Sequence, residues 1–168
     1  MASKEVIPEI APGKGLGSIL FGMSVEEVER SNGRAEDASV FDGGEEWTLS
    51  LHYPGIDLFF DQSDEFRLSV IEVDEDCSCR LFDEPLFPRN RAGVFELLQR
   101  NLTAAELETI EERRDDDLEE IAIDLRALWI TFYFNLDDEL QEVNWSTFVG
   151  ADDETVWPNL DATPRGRQ

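Results

Sequence analysis

Large apolar residues alternate with mainly polar ones along two stretches of this chain. Trp47, Leu49 and Leu51 are followed by Ile56, Leu58, Phe60 and Phe66; farther on, Ile121, Ile123 and Leu125 are followed by Ile130, Phe132, Phe134 and Leu140. Period two marks strands with one buried face, and "YPG" at 53–55 and "DQSDE" at 61–65 supply turns between them. Each stretch predicts a three-stranded antiparallel meander, over 47–53, 56–60 and 66–73 and again over 120–126, 129–134 and 139–146. Sliding the chain on itself by 74 residues lays one stretch over the other without a gap, apolar on apolar at all seven of these positions.

The periodicity changes ahead of each meander. In "LFGMSVEEVERSNG", Ser24 and Glu27 have the spacing of a capping box, Met23 and Val28 that of a hydrophobic staple, and Asn32-Gly33 a left-handed stop, which predicts a helix over 24–32. "LFPRNRAGVFELLQRN" repeats the arrangement at an offset of 66, with Leu86-Phe87 over Leu20-Phe21 and Asn90 over Ser24, and predicts a second helix over 91–101. The eight residues separating the two offsets fall in "TAAELETIEERRDDDLEE", where Thr103 and Glu106 form another capping box before "RRDDD" ends the apolar pattern.

A lone three-stranded sheet under one short helix cannot bury both of its faces, whereas two such units joined edge to edge give one longer sheet with helices over one side. The expected fold is therefore α+β: two tandem repeats, 15–79 and 80–149, each a short helix plus a three-stranded meander. An N-terminal extension, 1–14, and a loosely docked tail, 150–168, flank them.

This arrangement leaves one face of the sheet bare. If Leu49, Leu51, Leu58 and Phe60 face the helices, alternation sends Ser50, His52, Asp57 and Phe59 to the other side, with Asp124, Arg126, Thr131 and Tyr133 as their counterparts and Trp145 and Trp129 near the rim. A polar face carrying aromatic rings has the composition of a protein-binding surface, so these residues are the candidate contacts.

Charge points the same way. The chain carries 39 acidic against 14 basic residues, a formal net charge of -25, with only Lys4 and Lys14 as lysines. Such a field repels phosphate backbones and anionic membranes, so direct nucleic-acid binding is not expected; it suits either a saline habitat or a cationic partner. With 41% apolar residues the chain is globular rather than disordered. "MASKEVIPEIAPGKG" lacks the apolar run of a secretory signal, and a cytoplasmic protein is expected. Cys77 and Cys79 are too close for an unstrained disulfide and too few for a structural zinc site, which predicts two reduced thiols.

The stretch "GSILFGMSVEEVERSNG" resembles the helix opening of a bacterial superfamily that includes the small outer-membrane-assembly lipoproteins and the β-lactamase inhibitor protein, in which Gly-Met-Ser/Thr-x-x-Glu-Val precedes a helix and then a meander. The match spans about a tenth of the chain. The resemblance implies a sheet whose concave, aromatic-bearing face grips a protein. The second helix lacks the motif, and the disulfides of the secreted inhibitor are missing.

Signals for catalysis and cofactors are poor. His52 is the single histidine and has no nucleophile or base that the sequence assigns to it. No phosphate loop, nucleophile elbow or zinc-protease helix occurs, and "GKGLG" lacks the phosphate-loop spacing. Asp61, Ser63, Glu65 and Glu72 echo a calcium loop, but Phe66 stands where its turn glycine is needed, so no metal and no cofactor are expected. The function expected is a non-enzymatic acidic module that binds a protein, a basic one being favoured by the charge, as an immunity-type inhibitor binds a cytosolic toxin. The alternatives are a small-molecule enzyme using His52 with nearby carboxylates, and a salt-adapted domain without a cationic partner.

Overall fold

A computed structural model of the chain describes residues 7–158. Three two-residue strands, β1 (Ile10–Ala11), β2 (Gly15–Leu16) and β3 (Ile19–Leu20), form a small antiparallel sheet ahead of helix α1 (Val25–Asn32). Four strands follow, β4 (Asp37–Asp42), β5 (Trp47–Tyr53), β6 (Ile56–Asp61) and β7 (Arg67–Asp74). The hairpin β8 (Arg80–Leu81) and β9 (Glu84–Pro85) leads to α2 (Arg91–Asn101) and the single turn α3 (Ala104–Leu107). Four more strands, β10 (Ile110–Asp115), β11 (Glu120–Leu125), β12 (Ile130–Asn135) and β13 (Leu140–Ser146), precede a last hairpin, β14 (Phe148–Val149) and β15 (Thr155–Val156).

Eight of these strands make one antiparallel sheet in the order β10-β11-β12-β13-β7-β6-β5-β4. The last strand of each four-stranded run meets at the middle, where β13 pairs with β7 through Val143 opposite Val73 and Trp145 opposite Ile71. A register shift falls between Phe59 and Phe60 in one run and between Tyr133 and Phe134 in the other.

The α+β expectation of two helix-plus-three-stranded repeats is incorrect. Strand dominates, with one eight-stranded antiparallel sheet and three α-helices among the described residues. Each run has a fourth strand, β4 in "DASVFD" and β10 in "IEERRD". Both lie at the sheet edges with nearly every residue exposed, so neither carries the alternation that betrays a half-buried strand. The extension and tail are also partly built: β1–β3 lie within 10–20, and Trp157 packs on the core. Residues 1–6 and 159–168, which include Lys4, lie outside the described residues.

The helices are capped by side chains that satisfy otherwise orphaned N–H groups. Ser24 Oγ accepts from the Glu27 N–H at 3.2 Å, Asn90 Oδ1 accepts from Gly93 at 2.8 Å, and Thr103 and Glu106 form a reciprocal capping box. Val28 from α1 and Val94, Leu97 and Leu98 from α2 bury against one face of the sheet. Leu51, Leu58, Phe60, Ile71, Ile123, Phe132, Phe134, Val143 and Trp145 supply that face, and Leu16, Phe21, Leu81 and Leu86 close the core around its margin. Cys77 and Cys79 are free and buried in the same core. Among the described residues no helix is long and apolar enough to cross a membrane.

Candidate functional site

The face of the sheet turned away from the helices is the candidate site. Antiparallel register places side chains in rows across it. One row runs Asp37, His52, Asp57, Glu72, Asn144, Thr131, Asp124 and Glu111, and another Asp74, Glu142, Tyr133, Ala122 and Arg113.

On the β4–β7 side, His52 and Asp57 meet directly. His52 Nδ1 lies 2.6 Å from Asp57 Oδ1, and its Nε2 lies 2.9 Å from Ser39 Oγ and 3.2 Å from Ser50 Oγ. The two serine hydroxyls are 2.8 Å apart. Phe59, partly buried, stands between Ser50 and Val70 in the next row. On the other side, Arg113 forks onto Asp124, with Nη2 3.0 Å from Oδ1, and Thr131 Oγ1 donates to the same carboxylate at 2.8 Å. Those contacts, Arg113 foremost, hold the Asp124 carboxyl below its ordinary range. Arg126 is not in a strand; it begins a 3-10 turn, exposed, and its Nη2 pairs with Glu111 at 2.7 Å. Tyr133 is partly buried and its hydroxyl accepts from Asn144 Nδ2 at 3.2 Å. An open cleft of about 510 Å3 lies between Arg126, Trp129, Thr131, Asn144 and Ser146. Trp129 stands at its edge, 44% exposed and with φ of 56°, a left-handed conformation that is unusual for so bulky a residue.

Trp145 is not on this face. It is 1% exposed, and its indole N–H donates to the Gly15 carbonyl at 3.2 Å. Counting by twos from the inward Leu140 points Trp145 outward. The register shift opposite Tyr133/Phe134 inserts Gln141 as an extra residue, and from Val143 on the inward positions are odd-numbered.

The most unusual electrostatics lie at the seam between the two runs of strands, at residues that alternation within either run does not bring together. Glu72 on β7 and Glu142 on β13 are diagonal neighbours across the seam, with Asp57 opposite Glu72 and Asp74 opposite Glu142. Burial, then the charge of Glu142, pushes Glu72 up to about 7, and burial raises Glu142 as well. Among the described residues, none of Glu72, Asp74 and Glu142 has a Lys or Arg ion-pair partner. No described group of three or more His, Cys, Asp or Glu has the geometry to hold a metal ion, and the echo of a calcium loop at Asp61–Glu72 resolves into a 3-10 turn and strand β7.

The sequence pattern assigned His52, Asp57, Phe59, Asp124 and Tyr133 to one face, and they lie on it. His52 and Asp57 touch, Asp124 and Tyr133 sit across the seam, and Arg126 stands at the margin. Ser39, Glu72, Asp74, Arg113, Glu142 and Asn144 complete the face. Their signal in the sequence is parity alone: each is a polar residue one step from a buried apolar neighbour or on an edge strand. No protein-family model matches the chain, and neither a curated protein nor a solved structure does.

Proposed function

We propose that the protein is a non-enzymatic docking module, acting in the cytoplasm, that presents this open face to a basic protein in the manner of an immunity-type inhibitor. The observation that carries the reading is the unpaired carboxylate seam. Glu72 and Glu142 lie partly buried side by side with exposed Asp74 next to them, so ionising both costs free energy in the isolated protein, a cost that is relieved when a cation arrives. Phe59, Tyr133 and Trp129 supply aromatic area around the seam, as the anchoring centre of a protein interface requires. The net charge of -25 adds long-range steering toward a cationic partner. The resemblance of the α1 segment to a superfamily with a partner-gripping sheet points in the same direction.

Deca-arginine peptide is a suitable probe. Neutralising Asp57, Glu72 and Glu142 together as Asn, Gln and Gln is expected to weaken its binding by about tenfold or more, equivalent to about 1.4 kcal/mol. Neutralising Glu26, Glu27 and Glu29 on α1 removes the same formal charge and is expected to change affinity by less than about threefold, since exposed distant charges are screened. Equal losses from both variants would mean that the peptide senses net charge alone, and the reading would fail.

A second reading rests on the Asp57–His52–Ser39 geometry, whose distances are those of an acid–base relay. Both serines project from the face of a sheet, whose backbone N–H groups run between strands instead of pointing at a carbonyl bound on that face, so an oxyanion hole does not face them. If the relay is catalytic, hydrolysis of an activated ester disappears in His52→Ala. Turnover that survives the substitution dismisses it.

A further inference from the structure

The two edges of the large sheet are built differently. Along β10 every residue after Ile110 is charged, and the first four of these are ion-paired: Glu111 with Arg126, Glu112 with Arg91, Arg113 with Asp124 and Arg114 with Asp116. That is how a protein blunts an edge against further pairing. Strand β4 has no such protection. All six of its residues are exposed, with Val40 at 60% and Phe41 at 69%, and Trp47 beside its turn at 47%. Natural proteins avoid long exposed apolar edges unless another strand completes them.

The hydrogen-bond phase of this edge follows from its hairpin. Gly43 donates to the Glu46 carbonyl at 2.9 Å, and the register continues as Phe41 opposite Thr48 and Ser39 opposite Ser50. In an antiparallel pair every second residue is hydrogen-bonded to its partner strand. Asp37, Ser39 and Phe41 therefore turn their backbone groups toward β5, while Ala38, Val40 and Asp42 turn theirs outward. The Ala38 N–H is covered by the Asp37 carboxylate at 2.9 Å. The Val40 N–H and carbonyl are left at the centre of the free edge.

We infer that β4 is a strand-addition site, on which an extended, basic segment of the partner pairs as a ninth strand. This rests on the docking reading above and names how the partner engages. Charge decides between occupants. A second copy pairing β4 on β4 in this phase would set Val40 against Val40 and bring two bodies of net charge -25 into contact. A cationic segment finds instead Asp37 and Asp42 flanking the edge. Its side chains on the open face would extend the row that begins with Asp37, His52 and Asp57. Main-chain bonds would supply affinity, and lysine or arginine at alternate positions would supply specificity.

The probe is an acetylated (Lys-Val)4 peptide, compared with the same peptide N-methylated on every second residue, which keeps charge and side chains but removes the donors facing β4. The unmodified peptide is expected to bind at least about tenfold more tightly, equivalent to about 1.4 kcal/mol, and to raise exchange protection at the Val40 amide. Val40→Pro, tolerated on an edge whose N–H faces outward, is expected to bring the unmodified peptide down to the methylated one, whereas Val40→Ala leaves it unchanged. Binding indifferent to methylation, with protection confined to Glu72 and Glu142 amides, overturns the edge site but leaves the docking face standing. Failure of both peptides to bind overturns both. Protection of Val40 by the protein's own concentration, with a dimer in sedimentation, replaces the partner strand by a second copy.

Discussion

Replacing Glu72 by Gln is expected to stabilise the protein at alkaline pH and to do nothing at acid pH. Glu72 holds its proton up to about 7 in the folded protein, against an ordinary value of 4.5, first because it is partly buried and then because Glu142, Asp57 and Asp74 surround it. The folded state thus binds this proton more tightly than the unfolded chain, and its contribution is fully present below about pH 4.5 and lost as pH rises through about 7. At about 1.36 kcal/mol per tenfold in proton affinity the displacement corresponds to roughly 3 kcal/mol. Glu72 is half exposed, and screening by water brings this to about 1–2 kcal/mol. Glutamine keeps the shape and can donate to Glu142, which then ionises beside a neutral neighbour. Urea unfolding of both proteins at low salt from pH 5 to pH 8 reads the effect. The variant should be more stable by about 1–2 kcal/mol at pH 8, with the gap closing toward pH 5. A difference that is constant with pH, or a variant less stable at pH 8, would show that the seam carries no strain of like charge.

Other expectations test the fold and the face separately. Trp145→Ala should cost about 3–5 kcal/mol by denaturant unfolding, as for a large core side chain, while Trp145→Phe, which loses mainly the bond to Gly15, should cost about 1 kcal/mol. Gly55→Ala should destabilise by more than about 1 kcal/mol, because φ is 71° and a Cβ there would lie 2.4 Å from the Cys77 nitrogen; a thermal melt unchanged from the parent would contradict the turn geometry. Phe59→Ala and Tyr133→Ala should each weaken deca-arginine binding by more than about 1 kcal/mol in calorimetric titration. Raising salt from low to physiological strength should slow association with the same peptide severalfold in stopped flow.

What could be read from the sequence was local. Ser24-x-x-Glu27, Asn90 and Thr103-x-x-Glu106 announce helix starts because a cap is a contact across three residues, and all three caps form. Trp47–Tyr53, Ile56–Asp61 and Ile130–Asn135 show alternation because one side of each is packed. The edge strands were illegible for the converse reason. "DASVFD" and "IEERRD" are wet on both sides, nothing constrains their parity, and the second reads as a plain charge run. Missing β4 hid Ser39 and with it the partners of His52. A one-residue bulge at Gln141 reversed the side on which Trp145 falls. Glu72 and Glu142 are 70 residues apart and meet only because β7 pairs with β13. Long-range pairing of that kind leaves no mark within either strand.

The most direct measurement is a map of backbone amide shifts by nuclear magnetic resonance as deca-arginine is added at physiological salt. Docking on the open face predicts that the largest changes cluster at Asp57, Phe59, Glu72, Tyr133 and Glu142 while α1 and α2 stay still. Changes spread evenly over both faces, or centred on the helices, would contradict it.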